Sequence, residues 1–312
     1  MPDDDSRFEV LPRDLSAYRA GNTGIDYVHR FDSGLAGPHV MINALTHGNE
    51  FCGMVAACKL LDDGVRPRIG TLTVSFANVA AYASFDPADP FASRQITHNL
   101  NRIWSADWLD GETDSVELQR ARAMCPAVAA ADHILDIHST SQDVVPFWVY
   151  PDFERNASVA GALPRPGVHL VMPSGLGSGT PLIQHGRHGQ ADGPGAAMVV
   201  ECGQHFRQAS ADLAVAVAYD FLGHFGLIDH APSAMDASPR RRFELLRTHV
   251  IGTTEFAFTR PVVGFETYAK DELIATDGAL EIRAPCDDCT IFMPARTAIV
   301  GREGVYLTRP MG

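Results

Sequence analysis

The sequence predicts an α/β protein in which a mostly parallel mixed sheet is flanked by helices, with a small C-terminal β module after it. Short apolar runs rich in β-branched residues alternate with helix-like stretches, and this alternation is typical of parallel sheets. The apolar runs are almost uninterrupted, as expected of strands that are covered on both faces. After residue 231 the composition changes, which indicates a second unit.

Six apolar runs are predicted strands, and three stretches with apolar residues at helical spacing are predicted helices. The predicted strands are residues 39–45, 71–77, 133–137, 145–150, 168–172 and 197–201. The predicted helices are residues 51–62, 115–130 and 211–227. Because strands and helices alternate along the chain, we expect most of the strands to run parallel.

The segment 231–242, APSAMDASPRRR, is the predicted boundary between the two units. Its Pro, Ser and Ala residues precede three arginines, a composition typical of an exposed linker. Beyond it, short runs of Val, Thr and Phe are separated by Gly, Pro and Asp-Gly turns, a pattern that predicts β-structure. We therefore predict a main domain over residues 1–230 and a β module over residues 243–312.

The formal net charge of −13 argues against nucleic acid and anionic membranes as partners, because no basic tract offsets it. No apolar run is long enough to span a bilayer, and the acidic start of the chain lacks the basic and apolar regions of a signal peptide. These observations predict a soluble, cytoplasmic protein that acts on a small molecule. The sequence leaves the oligomeric state open, with a homo-oligomer as one alternative.

Polar residues follow three of the predicted strands at the point where each strand ends. His47 follows the first, His138 follows residues 133–137, and Glu201 closes the last. Open α/β sheets build their sites at the carboxyl ends of strands, so these side chains are candidates for one site. Each signal is weak alone, since a histidine at a strand end is often a hydrogen-bonded core residue.

A metal is the chemistry that this set favours. Glu50 lies three residues after His47, so both can point at one ion, and His138 can supply a third ligand from a neighbouring strand. Two histidines and one carboxylate leave a position open on zinc for a water, whose pKa can fall to about 7. We therefore predict one zinc ion per chain.

A separate segment carries candidate anion-binding groups. Arg94 is followed by the sequence NLNR, which ends in Asn101 and Arg102. The guanidinium fork binds a carboxylate through two hydrogen bonds, and an asparagine can bind the same group. The alternative interpretation is a surface loop with solvated arginines.

In this order, the motifs H-x-x-E, R-x(6)-NR, D-x-H and E-x-G resemble the succinylglutamate desuccinylase/aspartoacylase family, over roughly residues 38–205. The resemblance implies a zinc-dependent amidohydrolase with a zinc carboxypeptidase-like domain. It implies His47, Glu50 and His138 as zinc ligands, Glu201 as general base and proton shuttle, Arg94, Asn101 and Arg102 as the substrate grip, and Arg102 as a catalytic oxyanion stabiliser. It also implies a substrate-binding tyrosine from the C-terminal module, for which Tyr268 is the best match.

The chain departs from the family pattern at two places. Asn99 stands where the family commonly has an acidic residue, and the arginine that aspartoacylases place upstream of the base has no clear equivalent. Specificity for aspartate is therefore not transferred. His185 and His188 form an H-x-x-H pair, which indicates either a second metal or a polar loop.

Three functions stay open at this point. The first is a zinc-dependent deacylase that hydrolyses linear amides other than peptide bonds, in small N-acyl amino acids or related compounds. The second is a zinc carboxypeptidase that acts on peptides, and the third is a zinc-binding scaffold without activity. The paired Asn101 and Arg102 and the appended module, which would narrow the entrance, favour the first.

Overall fold

A computed structural model describes residues 7–173, 175, 178–235 and 239–312. The acidic residues 1–6 and residues 236–238 of the predicted boundary lie outside this part of the chain. Its helices are α1 (Phe51–Asp62), α2 (Val79–Ala83), α3 (Ala106–Leu109), α4 (Val116–Ala130), α5 (Glu154–Ala162) and α6 (Gln208–His224).

The strands of the described residues divide into those before and those after α6. The first group is β1 (Val28–Asp32), β2 (His39–Ala44), β3 (Thr71–Phe76), β4 (His133–Thr140), β5 (Phe147–Pro151), β6 (Val168–Met172) and β7 (Ala197–Gln204). The second group is β8 (Arg241–Val250), β9 (Ala257–Phe258), β10 (Thr267–Tyr268), β11 (Leu273–Asp277), β12 (Leu280–Arg283), β13 (Cys289–Phe292) and β14 (Glu303–Met311).

One mixed sheet organises the described structure, in the strand order β1-β3-β2-β4-β7-β5-β6-β8-β14-β13-β10. Its centre is parallel, because β3, β2, β4 and β7 all run the same way. Strand β5 is antiparallel to β7, and β6 and β8 run parallel to β5. Strands β9, β11 and β12 form a second, small antiparallel sheet.

The central strands are buried because helices cover both faces of the sheet. Ile42 and Ala44 pack with residues of α1 and α6 on one face, while Met41 packs with residues of α4 on the other. This two-sided burial explains the uninterrupted apolar runs of the sequence. The predicted α/β fold class is confirmed, and each predicted strand and helix has a counterpart within a few residues, with α6 shifted by three.

The elements that the sequence did not predict are short or polar. Strand β1 lies at the edge of the sheet, and Val28 is its one buried residue. Helix α5 is rich in polar and small residues, and α2 and α3 have five residues or fewer. Short elements of this kind carry little periodicity, so tertiary contacts decide whether they form.

Strand β8 begins at the end of the predicted boundary and pairs in parallel with β6, with Leu170 opposite Phe243. The C-terminal strands therefore extend the main sheet and add a separate apolar cluster that includes Ile274 and Ile291. The division at residue 230 stays a prediction. Among the described helices, none is both long and apolar enough to cross a membrane.

Candidate metal centre and active site

The three predicted zinc ligands meet at the carboxyl ends of β2 and β4. These strands are parallel neighbours, with Ala44 opposite Ile137. His47 lies in the loop after β2, Glu50 directly precedes α1, and His138 lies within β4. One ligand atom from each residue lies within 4.8 Å of the others, and all three side chains are buried. Within the described residues this is the one group of His, Cys, Asp or Glu with metal-binding geometry.

Gly48 is required where it stands, between two of these ligands. A Cβ atom there would lie 2.4 Å from backbone atoms of Ala81, Tyr82 and Ser93, which leaves no room for a side chain. The Gly48 N–H donates to the carbonyl oxygen of Arg94 at 3.1 Å. The ligand loop is therefore packed directly against the segment that carries the first predicted substrate arginine.

His138 is oriented by a buried carboxylate. Its Nε2 atom donates to Asp136 Oδ2 at 2.8 Å. Asp136 in turn accepts hydrogen bonds from Asn43 Nδ2 at 2.8 Å and Thr46 Oγ1 at 2.9 Å. This network fixes the imidazole with Nε2 protonated and leaves Nδ1 free to bind a metal.

His47 is oriented by a neutral amide. Its Nε2 atom lies 2.9 Å from Asn99 Oδ1. That oxygen also accepts the backbone N–H of Asn101 at 2.9 Å, which identifies it as the oxygen of the amide. His47 therefore donates through Nε2, and its Nδ1 lone pair is available. Asn99, the residue that departs from the family pattern, occupies the orienting position behind this ligand.

The remaining lone pairs converge on one carboxylate. His47 Nδ1 lies 2.8 Å from Glu50 Oε1, and His138 Nδ1 lies 3.0 Å from Glu50 Oε2. Glu50 Oε2 is buried, and apart from this contact it has no hydrogen-bond partner among the described residues. Lone pairs of nitrogen and oxygen in such contact repel unless a proton or a cation lies between them. Ligands of tetrahedral zinc lie about 3.4 Å apart, so the spacing and chemistry of these donors fit a zinc ion.

The charges of the three ligands depend on one another. Burial, with the charge of Arg94, lowers the pKa of His47 to about 4, so its ring is neutral at pH 7. Burial also acts against charge on His138 and Glu50. For His138 the charges of Asp136 and Glu50 outweigh burial and raise the pKa, and for Glu50 the two histidines lower it. Glu50 is therefore the ionised carboxylate that faces both histidines.

Glu201 lies beside this cluster on β7. It is the register partner of His138 in β4 and of Phe147 in β5. The side chain is buried, and no described residue forms a hydrogen bond with its Oε2 atom. Burial raises the pKa of Glu201 to about 8. A carboxyl group that titrates near neutral pH next to a metal cluster suits a residue that accepts and returns a proton.

Arg94 is the predicted substrate residue nearest the ligands. It ends a short 3₁₀ helix, Ala92–Arg94, and its Nη1 atom lies 3.4 Å from Glu50 Oε1. The side chain of Arg94 is 29% exposed, so part of it is accessible to solvent. Arg94 is thus placed to contact a ligand that approaches the metal position.

Arg102 is held by the C-terminal strand β14. Its Nε atom donates to Glu303 Oε1 at 2.6 Å, and its Nη2 atom donates to the hydroxyl of Tyr306 at 3.0 Å. The hydroxyl of Ser178 donates to the same oxygen of Glu303. Glu303 and Tyr306 were not predicted from the sequence, because β14 has the pattern of an ordinary apolar strand and no motif marks these two residues.

The other two predicted substrate residues have partners within the protein. Asn101 is buried, and its Oδ1 atom accepts the backbone N–H of Leu182 at 3.1 Å. Tyr268 lies on β10 within the apolar cluster of the C-terminal strands, and the guanidinium of Arg260 lies 4.5 Å from its ring centroid. Their roles in binding substrate stay predictions.

The H-x-x-H pair lies apart from the metal cluster. His185 Nδ1 is 3.1 Å from the carbonyl oxygen of Trp104, and His188 Nε2 is 3.3 Å from that of Val128. Neither joins a group of metal-binding geometry in the described part of the chain. Backbone contacts account for one nitrogen of each ring, and His188 Nδ1 is buried without a hydrogen-bond partner among the described residues.

Residues 36–180 match the family described as the succinylglutamate desuccinylase/aspartoacylase catalytic domain. This match confirms the resemblance and supports an enzyme of a deacylase family. It includes the three candidate zinc ligands, both candidate arginines and Asn101, whereas Glu201 and the C-terminal strands lie beyond it. No curated protein sequence matches the chain.

Several solved structures share the fold at low sequence identity. Succinylglutamate desuccinylase from Vibrio cholerae has 19% identity and a TM-score of 0.67, covering 91% of this chain and 85% of its own. The product-bound ectoine utilization protein EutE (DoeB) from Ruegeria pomeroyi has 16% identity and a TM-score of 0.63, covering 91% and 88%. An aspartoacylase family protein from Mesorhizobium loti has 19% identity and a TM-score of 0.61, covering 92% and 90%.

Proposed function

We propose that this protein is a zinc-dependent deacylase of small N-acyl amino acids or related amides. Residues 36–180 match the succinylglutamate desuccinylase/aspartoacylase family, and this match is the starting point. One observation carries the proposal. Two imidazole nitrogens face the two oxygens of Glu50 at 2.8 and 3.0 Å, and a buried carboxyl group, Glu201, lies on the adjacent strand.

His47, Glu50 and His138 would hold the zinc ion. Zinc bound there would polarise the amide carbonyl and make a water more acidic. Glu201 accepts a proton from the attacking water and later returns it to the leaving amine, for which its raised pKa suits it. Arg102 supplies positive charge near the carbonyl oxygen as it becomes negative, and Arg94 binds a carboxylate of the substrate. The products are a carboxylate and an amine.

The C-terminal strands support a small substrate over a peptide. The loop between β13 and β14 lies against the main domain, because Arg296 stacks over Phe91 at 4.7 Å and donates to the carbonyl oxygen of Ser141 at 3.3 Å. Strand β14 also contacts Arg102 through Glu303. These contacts hold the C-terminal part of the chain against the segment before Arg94 and against the end of β4, and we infer that they restrict access of a polypeptide to the site.

The test combines zinc analysis with a panel of N-acyl amino acids and peptides, scored by amine release. We expect about one zinc per chain and hydrolysis of small N-acyl amino acids. Release of C-terminal residues from peptides at a higher kcat/KM would favour the carboxypeptidase instead. Zinc binding with no hydrolysis of any compound would favour the scaffold.

The Glu201→Gln variant separates binding from chemistry. It keeps the size of the side chain and removes the base, so we expect wild-type zinc content and a kcat lower by roughly 10²–10⁴-fold. Thermal unfolding of the zinc-loaded variant serves as the control for folding. A variant with the wild-type rate would remove Glu201 from the mechanism.

A further inference from the structure

The segment 95–98 connects two residues that contact the predicted metal ligands. Arg94 precedes it, and the Nη1 atom of Arg94 lies 3.4 Å from Glu50 Oε1. Asn99 follows it, and the Oδ1 atom of Asn99 lies 2.9 Å from His47 Nε2. The segment itself belongs to no helix or strand. Its backbone N–H groups therefore need partners outside regular secondary structure, and those partners decide where the segment lies.

One buried carboxylate supplies these partners. Glu117 Oε1 accepts the N–H of Ile96 at 2.6 Å and that of Thr97 at 3.3 Å. Glu117 Oε2 accepts the N–H of Thr97 at 3.2 Å and that of His98 at 3.2 Å. Three consecutive backbone donors thus bind the two oxygens of a single side chain.

The place of Glu117 in the fold suits it to this contact. Glu117 lies in the first turn of α4, where the partial positive charge of the helix N-terminus stabilises a carboxylate. The side chain is fully buried, and the side-chain amide of Asn78 also donates to Oε1 at 3.4 Å. Both oxygens act as acceptors, as an ionised carboxylate does. Because a buried carboxylate is costly without hydrogen bonds, Glu117 and the segment 95–98 hold each other in place.

We propose that Glu117 is a positioning residue that holds Arg94 and Asn99 in place together. One buried side chain then supports both the predicted substrate arginine and the amide that orients His47. It acts through the backbone of the segment 95–98, because the donor of Ile96 lies two residues after Arg94 and the donor of His98 directly precedes Asn99. The role at Arg94 rests on the proposed deacylase function, whereas the role at Asn99 depends only on metal binding.

Glu117→Ala removes the acceptors of all three N–H groups. We expect zinc affinity to fall by about tenfold, as at the lower end of the range for losing a group that orients a ligand histidine. With zinc saturating, KM for N-acetyl-L-alanine should rise about tenfold while kcat changes by less than about threefold, because Arg94 binds the substrate and moves no proton. Competition with a zinc-binding dye measures the affinity, and amine release measures KM and kcat.

Glu117→Gln separates the two ends of the segment. The amide oxygen should take the Oε1 position, which accepts three of the five hydrogen bonds to this carboxylate. The amide nitrogen then faces the N–H of His98, and two donors form no hydrogen bond. The end at Asn99 is released, so zinc affinity should fall by about threefold, while KM stays near the wild-type value because the end at Arg94 keeps its acceptor. A general loss of stability would not divide the two quantities in this way.

Asp277 provides the matched control, because it is another buried carboxylate that binds two consecutive backbone N–H groups. It lies on β11 in the small second sheet and accepts from Gly252 at 2.6 Å and from Thr253 at 2.8 Å. Asp277→Ala and Asp277→Asn therefore remove comparable hydrogen bonds in another sheet. We expect both variants to lower the unfolding temperature and to keep wild-type zinc affinity and KM.

Thermal unfolding of the zinc-loaded proteins identifies the folded variants. If zinc affinity or KM stays at the wild-type value in folded Glu117→Ala, Glu117 does not hold both residues and the inference is overturned. It is also overturned if the Asp277 variants change these quantities as far as the Glu117 variants do. If Glu117→Ala does not fold, the zinc affinity of Glu117→Gln decides. Failure of every panel compound to react would instead overturn the proposed function, with the zinc competition still deciding whether Glu117 supports His47.

Discussion

The two halves of the site are built differently. The predicted metal half, formed by His47, Glu50 and His138, lies at the carboxyl ends of adjacent central strands and is almost completely buried. The arginine half joins Arg102 to Glu303, residues that are 201 positions apart in sequence, and both side chains are about a fifth exposed. The core of the sheet thus positions the predicted metal ligands, while the C-terminal strands position Arg102, a predicted substrate-binding residue.

Because of this difference, substitutions in the two halves should have different effects. A substitution among the metal ligands or their hydrogen-bond partners should change zinc content first. A substitution among the arginines and β14 should leave zinc in place and change the affinity for substrate. Any variant that changes both would show that the halves are coupled, for example through the short contact between Arg94 and Glu50.

The largest effect is expected from His138→Ala. Removing one of three ligands breaks the convergence on Glu50 and leaves a buried carboxylate with fewer partners. Zinc content, measured by mass spectrometry of the purified protein, should fall from one per chain to almost none, together with activity. His185→Ala, which changes a histidine outside the cluster, should keep full zinc content. Full zinc occupancy in His138→Ala would refute the ligand assignment.

A smaller effect is expected from the residues behind the two histidines. Asp136→Asn removes the carboxylate that accepts from His138, and zinc affinity should fall by roughly 10- to 100-fold. Asn99→Asp places a carboxylate next to Nε2 of His47 and should strengthen zinc binding by a smaller factor. Competition with a zinc-binding dye measures both. Equal affinities in the two variants would mean that these partners do not tune the metal.

Arg94→Lys tests the arginine half and leaves the three predicted metal ligands unchanged. Lysine keeps the charge but loses the planar fork, so about 1–3 kcal/mol of transition-state binding should be lost, or roughly 5- to 150-fold in kcat/KM. Zinc content should stay at the wild-type level. Arg309→Lys on the exposed part of β14 is the control for a change of arginine. An unchanged kcat/KM would show that Arg94 does not bind the substrate.

The smallest effect is a pH dependence of stability at Glu303. The pKa of this group is lowered to about 2 in the folded protein, below its unfolded value of about 4.3. The stabilisation is therefore complete above that unfolded value and is lost as the pH falls towards 2. In urea unfolding, the difference in stability between wild type and Glu303→Gln should shrink over this range. A difference that does not change from pH 7 to pH 2.5 would contradict the ion pair.

The position of each residue in the fold explains how much of the candidate site could be predicted from the sequence. His47, His138 and Glu201 follow apolar runs, and the carboxyl ends of parallel strands share one edge of a sheet, so their proximity could be predicted. Only the resemblance to the family placed Arg94 near them, because the hydrogen bond that ties its segment to Gly48 leaves no mark in the sequence. The catalytic and binding roles of these residues stay predictions.

The C-terminal contribution could not be predicted in the same way. Strand β14 lies between β8 and β13, and its register, including two bulges against β8, decides which side chains reach Arg102. Such pairing depends on the whole sheet and leaves no local pattern. Tyr268 was chosen from the sequence as the tyrosine near the site, whereas the tyrosine whose hydroxyl contacts Arg102 is Tyr306.

The continuity of the main sheet into β14 has a consequence for the order in which the protein matures on the ribosome. The strands that carry the predicted metal ligands and Glu201 have all been synthesised by residue 204, so these side chains can come together before β14 is translated. Glu303 and Tyr306 emerge long afterwards, and until then Arg102 lacks these two partners. A translation intermediate would therefore hold the predicted metal ligands together before β14 fixes the position of the Arg102 side chain.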